Sequence, residues 1–95
     1  MRTIMLYLNT NELRTLTSTM LSTLEAKNIE AFKRAGFSVG WWQDNNGRKF
    51  RSALEGVSEN TDPQYLRELA TYPLRCAEAY EGKDRELARR IRGMF

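Results

Sequence analysis

The residues best suited to chemistry in this sequence are cations, and they fall in two groups. Arg48, Lys49 and Arg51 follow closely on the Trp41-Trp42 pair, and Arg85, Arg89 and Arg92 recur near the end of the chain. A guanidinium presents a planar fork of donors that fits phosphate or carboxylate oxygens two at a time. An indole beside such cations can stack on a nucleobase or fill a pocket on a protein partner. Trp42, Arg48, Lys49 and Arg51 therefore form one candidate binding site, and Arg85, Arg89 and Arg92 a second. The plainer alternatives are an indole covered by a helix or by Arg51, and a solvated arginine face laced by Glu81–Arg85 and Glu86–Arg90 pairs.

Catalytic chemistry is harder to build. The 95 residues include no histidine and one cysteine. The commonest general base and metal ligand is thus missing, and Cys76 has neither a thiol nor an imidazole to work with. Cys76, one turn before Tyr80, reads as a small buried apolar residue. Gly36 and Gly40 lack the lysine and hydroxyl residue that complete a phosphate-binding loop. Glu78, Glu81 and Glu86, or Glu55, Glu59 and Asp62, could offer oxygens to a hard cation. Neither set is embedded in an apolar stretch that would shape a site. The sequence predicts a non-enzymatic protein with no cofactor and no metal.

The distribution of charge favours binding. Fifteen basic and twelve acidic residues leave a net charge of +3. Residues 83–95 carry five basic and two acidic side chains, so this segment alone matches the whole excess. It is predicted to form a basic C-terminal helix, with Arg85, Arg89 and Arg92 on one face and Leu87, Ile91 and Met94 near the other. The cationic face suits nucleic acid or an acidic protein surface; the apolar one offers a homodimer contact.

Positioning these side chains requires a core, and the chain is long enough for one: residues 1–95 are predicted to form a single compact domain. Ile4, Leu6 and Leu8 alternate with Met5 and Tyr7 and predict a strand over 3–8. Leu13, Leu16, Met20, Leu21 and Leu24 follow helical spacing. A drift of the stripe near Lys27-Asn28 predicts a break, with Asn28 capping a second helix that Gly36 ends. Phe37, Val39 and Trp41 then alternate up to Asn46-Gly47, the strongest short hairpin signal. Pairing outward from that turn gives a hairpin 37–43/48–54. Val39, Trp41, Phe50 and Leu54 would face the core, and Trp42, Asp44, Lys49 and Arg51 would face out. The competing reading makes Phe50, Ala53, Leu54 and Val57 one face of a short helix, so residues 48–57 are open between strand and helix. Asp62-Pro63 opens a further helix, which Pro73 should end or kink, and Gly82 is a candidate cap for the next.

The predicted fold class is α+β: a helix-rich domain with a small antiparallel sheet, strand 3–8 plus the hairpin, packed on helices. In outline, a helix pair followed by a hairpin resembles winged-helix DNA-binding domains. The leading strand has no helix before it, however, and the segment in reading-helix position, Asn28 to Ala35, mixes Glu30 with Lys33 and Arg34. No apolar run approaches the roughly 20 residues of a membrane span. A lone cysteine and the absence of a signal-peptide pattern predict a cytoplasmic location. The function expected is nucleic-acid association through the hairpin tip and terminal arginines; the alternative is a protein–protein interaction module acting as inhibitor or adaptor.

Overall fold

A computed structural model describes the backbone of residues 9–93 and the side chains of residues 9–82. The described chain is four helices: α1 (Thr10–Glu25), α2 (Ile29–Phe37), α3 (Asn45–Glu55) and α4 (Pro63–Gly93). No strand occurs among the described residues, so the predicted α+β class gives way to a helical domain. The predicted strand 3–8 lies outside the described residues.

The start of α1 is fixed by Asn9. Its Oδ1 accepts the Glu12 amide at 3.1 Å and its Nδ2 reaches the Glu12 carboxylate at 3.4 Å. Leu13, Leu16, Thr17 and Met20 line the buried face, with Leu21 and Leu24 packed at its edge. The helix closes with Lys27 in the left-handed region at φ 55. The Lys27 amide bonds Leu24 O and the Asn28 amide bonds Thr23 O, each at 3.0 Å, the two reversed bonds of a Schellman end. Asn28 at once caps α2 by accepting the Ala31 amide at 3.0 Å. The predicted break and its cap are therefore present.

Gly36 does not end α2, as its sequence position suggests; it lies inside the helix as a point of close approach. A Cβ there would sit 2.3 Å from Leu54 Cδ1. Glycine lets α3 lean directly on α2.

The predicted hairpin 37–43/48–54 is replaced by the end of α2, a turn over 38–44, and α3. Two contacts decide the outcome. Asp44 Oδ1 accepts the Gly47 amide at 2.9 Å, which makes Asp44 the N-cap of a helix rather than the flank of a turn. A Cβ on Gly47 would lie 2.0 Å from the Trp42 carbonyl oxygen, so glycine is required where the first turn of α3 crosses the Trp42 backbone. Gly47, Phe50 and Leu54 then fall on one buried helical stripe. The helical alternative for residues 48–57 is the one realised, with Val57 buried just beyond the helix end. Without a hairpin the winged-helix outline also lapses.

Asp62 Oδ1 accepts the Gln64 amide at 3.2 Å at the head of α4, as the Asp62-Pro63 pair suggests. Neither Pro73 nor Gly82 ends that helix. Around buried Pro73 the Leu74 amide donates across to Thr17 Oγ1 on α1 at 3.1 Å. A partner helix thus supports the turn that a proline weakens. The segment expected as a separate terminal helix continues α4 along its backbone to Gly93.

Helices α1 and α4 run antiparallel, with Arg14 meeting Glu81 at 2.6 Å and Thr17 meeting Leu74. Their facing stripes, chiefly Leu13, Leu16 and Met20 against Leu66, Leu69, Ala70, Cys76 and Ala77, make half of the core. Phe32, Val39, Trp42, Phe50, Leu54 and Val57 close the other half beneath α2 and α3. Each fully buried large apolar side chain contributes about 1.5–3 kcal/mol relative to exposure.

Candidate nucleic-acid interface

The first predicted site divides between core and surface. Trp42, expected on an outward strand face, is 0% exposed, whereas Trp41, expected in the core, is 37% exposed. The swap has a local cause. Trp42 N–H donates to Val39 O at 3.0 Å, and this turn places Val39 and Trp42 together on the inner side. Trp42 cannot stack on a ligand from there.

Arg48 and Lys49 are exposed on α3, and Arg51 is half-buried at its flank. Arg48 donates through Nη1 to Gln43 O. Arg51 Nη1 donates to Val39 O at 3.1 Å. Both guanidinium groups thereby brace α3 against the turn over 38–44 while most of their five donors remain unused by these bonds. Lys49 has no partner among the described residues. The side chains of Arg85, Arg89 and Arg92 lie outside the described residues, as do those of Leu87 and Ile91 and the whole of Met94.

Helical geometry assembles a face that strand reasoning overlooked. Asn45, Arg48, Lys49 and Ser52 are all exposed and recur at i, i+3, i+4 and i+7 on α3, opposite buried Gly47, Phe50 and Leu54. Asn45 and Ser52 are the residues missed. The signal was legible as the same spacing, once residues 45–55 are read with helical rather than strand period.

The base of α3 is held by a polar network unusually rich in aromatic residues. Tyr80 on α4 donates its hydroxyl to Asp44 Oδ2. It accepts from Trp42 Nε1 at 3.1 Å and from Asn46 Nδ2 at 3.2 Å. Tyr72 O–H extends the network by donating to Asn46 Oδ1 at 3.2 Å. Its ring lies stacked on Phe50, with centroids 6.1 Å apart, and Trp42 tilts against Phe50 at 5.4 Å. The negative charge of Asp44 is directed into its cap and Tyr80, away from the cationic face.

This network has no obvious nucleophile. Burial, aided by the Asp44 bond, pushes the Tyr80 phenol up to about 12. Burial also raises Tyr72 and the thiol of buried Cys76. All three are neutral near pH 7. Among the described residues, no three Cys, Asp or Glu side chains converge to hold a metal ion.

Other surface features lie elsewhere. A cavity of about 850 Å³ opens where the α1–α2 corner meets the head of α4, between Leu24, Ile29, Pro63 and Leu66. A shallower one of about 330 Å³ lies between α1 and the end of α2. Among the described residues, Phe37, Trp41 and Tyr65 are the large apolar side chains left exposed. Among the described residues no helix is long and apolar enough to cross a membrane. Comparison with protein-family models, curated proteins and solved structures gives no match to this chain.

Proposed function

We propose that this is a non-enzymatic nucleic-acid-binding protein whose principal contact surface is the exposed face of α3. One observation carries the reading: Asn45, Arg48, Lys49 and Ser52 share a solvent-facing stripe that meets no acidic residue until Glu55, at the helix end. Cations on such a ridge neutralise phosphates and release condensed counterions, so binding weakens as salt rises. The excess of basic residues in 83–95 adds to this attraction through its charge. A cytoplasmic location fits the single cysteine.

The test is a fluorescence anisotropy titration of labelled duplex and single-stranded oligonucleotides at about 50 and about 200 mM salt. Salt-sensitive binding at micromolar protein supports the reading. Absence of binding to every oligonucleotide at the lower salt removes it.

A protein-binding role as inhibitor or adaptor is the second reading, favoured by the exposure of Phe37 and Trp41 at 39% and 37%. Aromatic side chains of this kind anchor protein interfaces. Trp41→Ala, which leaves the core untouched, would then abolish capture of a co-purifying protein; under the nucleic-acid reading, the Arg48 and Lys49 positions dominate instead.

A further inference from the structure

The α3 surface divides between residues buried or half-buried against the rest of the domain and residues that face solvent. Asp44 caps it, Asn46 is bonded to Tyr72 and Tyr80, and Arg51 reaches Val39 O. Gly47, Phe50 and Leu54 are buried beneath it. What remains solvent-facing is Asn45, Arg48, Lys49 and Ser52, a ridge within the first eight residues of an 11-residue helix, with exposed Glu55 closing it at the C-terminal end. Such a helix is about 16 Å long. The major groove of B-DNA, about 12 Å wide, admits a ridge of this size.

From this geometry we infer that α3 enters the major groove of duplex DNA and reads base edges there. The inference rests on the nucleic-acid reading above and specifies its ligand. The residue types match the chemistry of that groove. An asparagine amide can bond adenine N6 and N7 together, arginine or lysine can bond guanine O6 and N7, and a serine hydroxyl serves either. Asn45, Arg48 and Lys49 stand in the N-terminal half of the helix, the part that meets bases when a helix docks in the groove, and Ser52 extends the ridge one turn further. Arg48 combines this role with its bond to Gln43 O, which holds its guanidinium at the head of the ridge.

Two related ligands fit less well. A single strand is best held by an aromatic platform among the cations, but Phe50 within the helix and Trp42 before it are sealed in the core, and exposed Trp41 sits in the preceding turn rather than on the ridge. A-form RNA has a major groove too deep and narrow for side chains to read.

The probe is a duplex DNA library with a randomised centre, selected for binding to the full chain and sequenced. The expected result is an enriched sequence bound at least about tenfold more tightly than its scrambled version. Replacing its purines by 7-deazapurines, which lack the N7 acceptor but leave the phosphates intact, should remove that advantage. Asn45→Ala, at an exposed first-turn position, should relax the preference at one base position while keeping the salt dependence. Equal salt-sensitive binding to all sequences, or equal binding to duplex RNA, overturns major-groove reading while the nucleic-acid reading survives. Failure to bind any nucleic acid overturns both.

Discussion

The Tyr80 hydroxyl donates to the same Asp44 carboxylate that caps α3, so α4 grips the cap of the proposed binding helix directly, with Tyr72 on Asn46 as a second tie. The hydroxyl also accepts from Trp42 Nε1 and Asn46 Nδ2. With one proton and two lone pairs, Tyr80 is fully used. Removing that oxygen strips a partner from three groups at once, two of them donors close to the core.

Tyr80→Phe should therefore destabilise the fold by about 1–3 kcal/mol, the cost of leaving a buried donor such as Trp42 N–H unpaired. Urea unfolding followed by far-UV circular dichroism measures it. Stability equal to that of the unsubstituted protein would show that the network does not hold α3.

The same phenol predicts alkaline behaviour. Its folded pKa of about 12 exceeds the ordinary value of 10.0, so the unfolded chain loses the proton first. The stabilisation is complete below pH 10 and is lost as pH rises from 10.0 towards about 12. Stability measured across this window should fall, and Tyr80→Phe should flatten the fall, leaving the smaller share from Tyr72 and Cys76, which burial shifts in the same direction. An identical slope in the variant would contradict the assignment.

Two glycines should respond oppositely to alanine. A Cβ at Gly47 would lie 2.0 Å from Trp42 O, against nothing within 4 Å at Gly82 in α4. Gly47→Ala should cost about 1–3 kcal/mol or more through overpacking. Gly82→Ala should gain about 1 kcal/mol from helix propensity. Paired thermal melts distinguish them, and a neutral Gly47→Ala would sink the close approach of α3 to Trp42.

Thr17 is buried on α1 and accepts the Leu74 amide beside Pro73. Thr17→Val keeps the shape but removes the acceptor, so about 1–3 kcal/mol of stability should be lost. Hydrogen exchange at the Leu74 amide should also quicken; unchanged exchange would mean that Thr17 is not its protector.

Local signals in the sequence are well kept by the fold. Asn28 and Asp62-Pro63 mark real helix starts because capping depends on a few adjacent residues. The stripe of α1 is likewise real, because it rests on period alone. Residues 37–54 misled for a definite reason. Phe50 and Leu54 are four apart, a spacing that puts them on one face of a strand and of a helix alike. Asn46-Gly47 signals a hairpin turn, whereas the glycine is there for the Trp42 backbone, a contact only the tertiary structure reveals. Continuity through Pro73 was equally hidden, since its support comes from Thr17, far away in sequence. Arg48 and Lys49 stand out in the sequence as cations, but their neighbours on the face, Asn45 and Ser52, emerge only when the segment coils.

The central claim, that the exposed cations of α3 bind nucleic acid, is tested most directly by salt dependence. A labelled duplex is titrated with the unsubstituted protein and with Arg48→Ala/Lys49→Ala, and the slope of log K against log salt is compared. Lys49→Ala alone serves as a second variant, because Lys49 has no partner among the described residues while Arg48 braces Gln43. The account predicts a slope shallower by about 2 in the double variant and by about 1 in Lys49→Ala, with weaker binding in both. Equal slopes and affinities in all three proteins, with helicity intact, would contradict it.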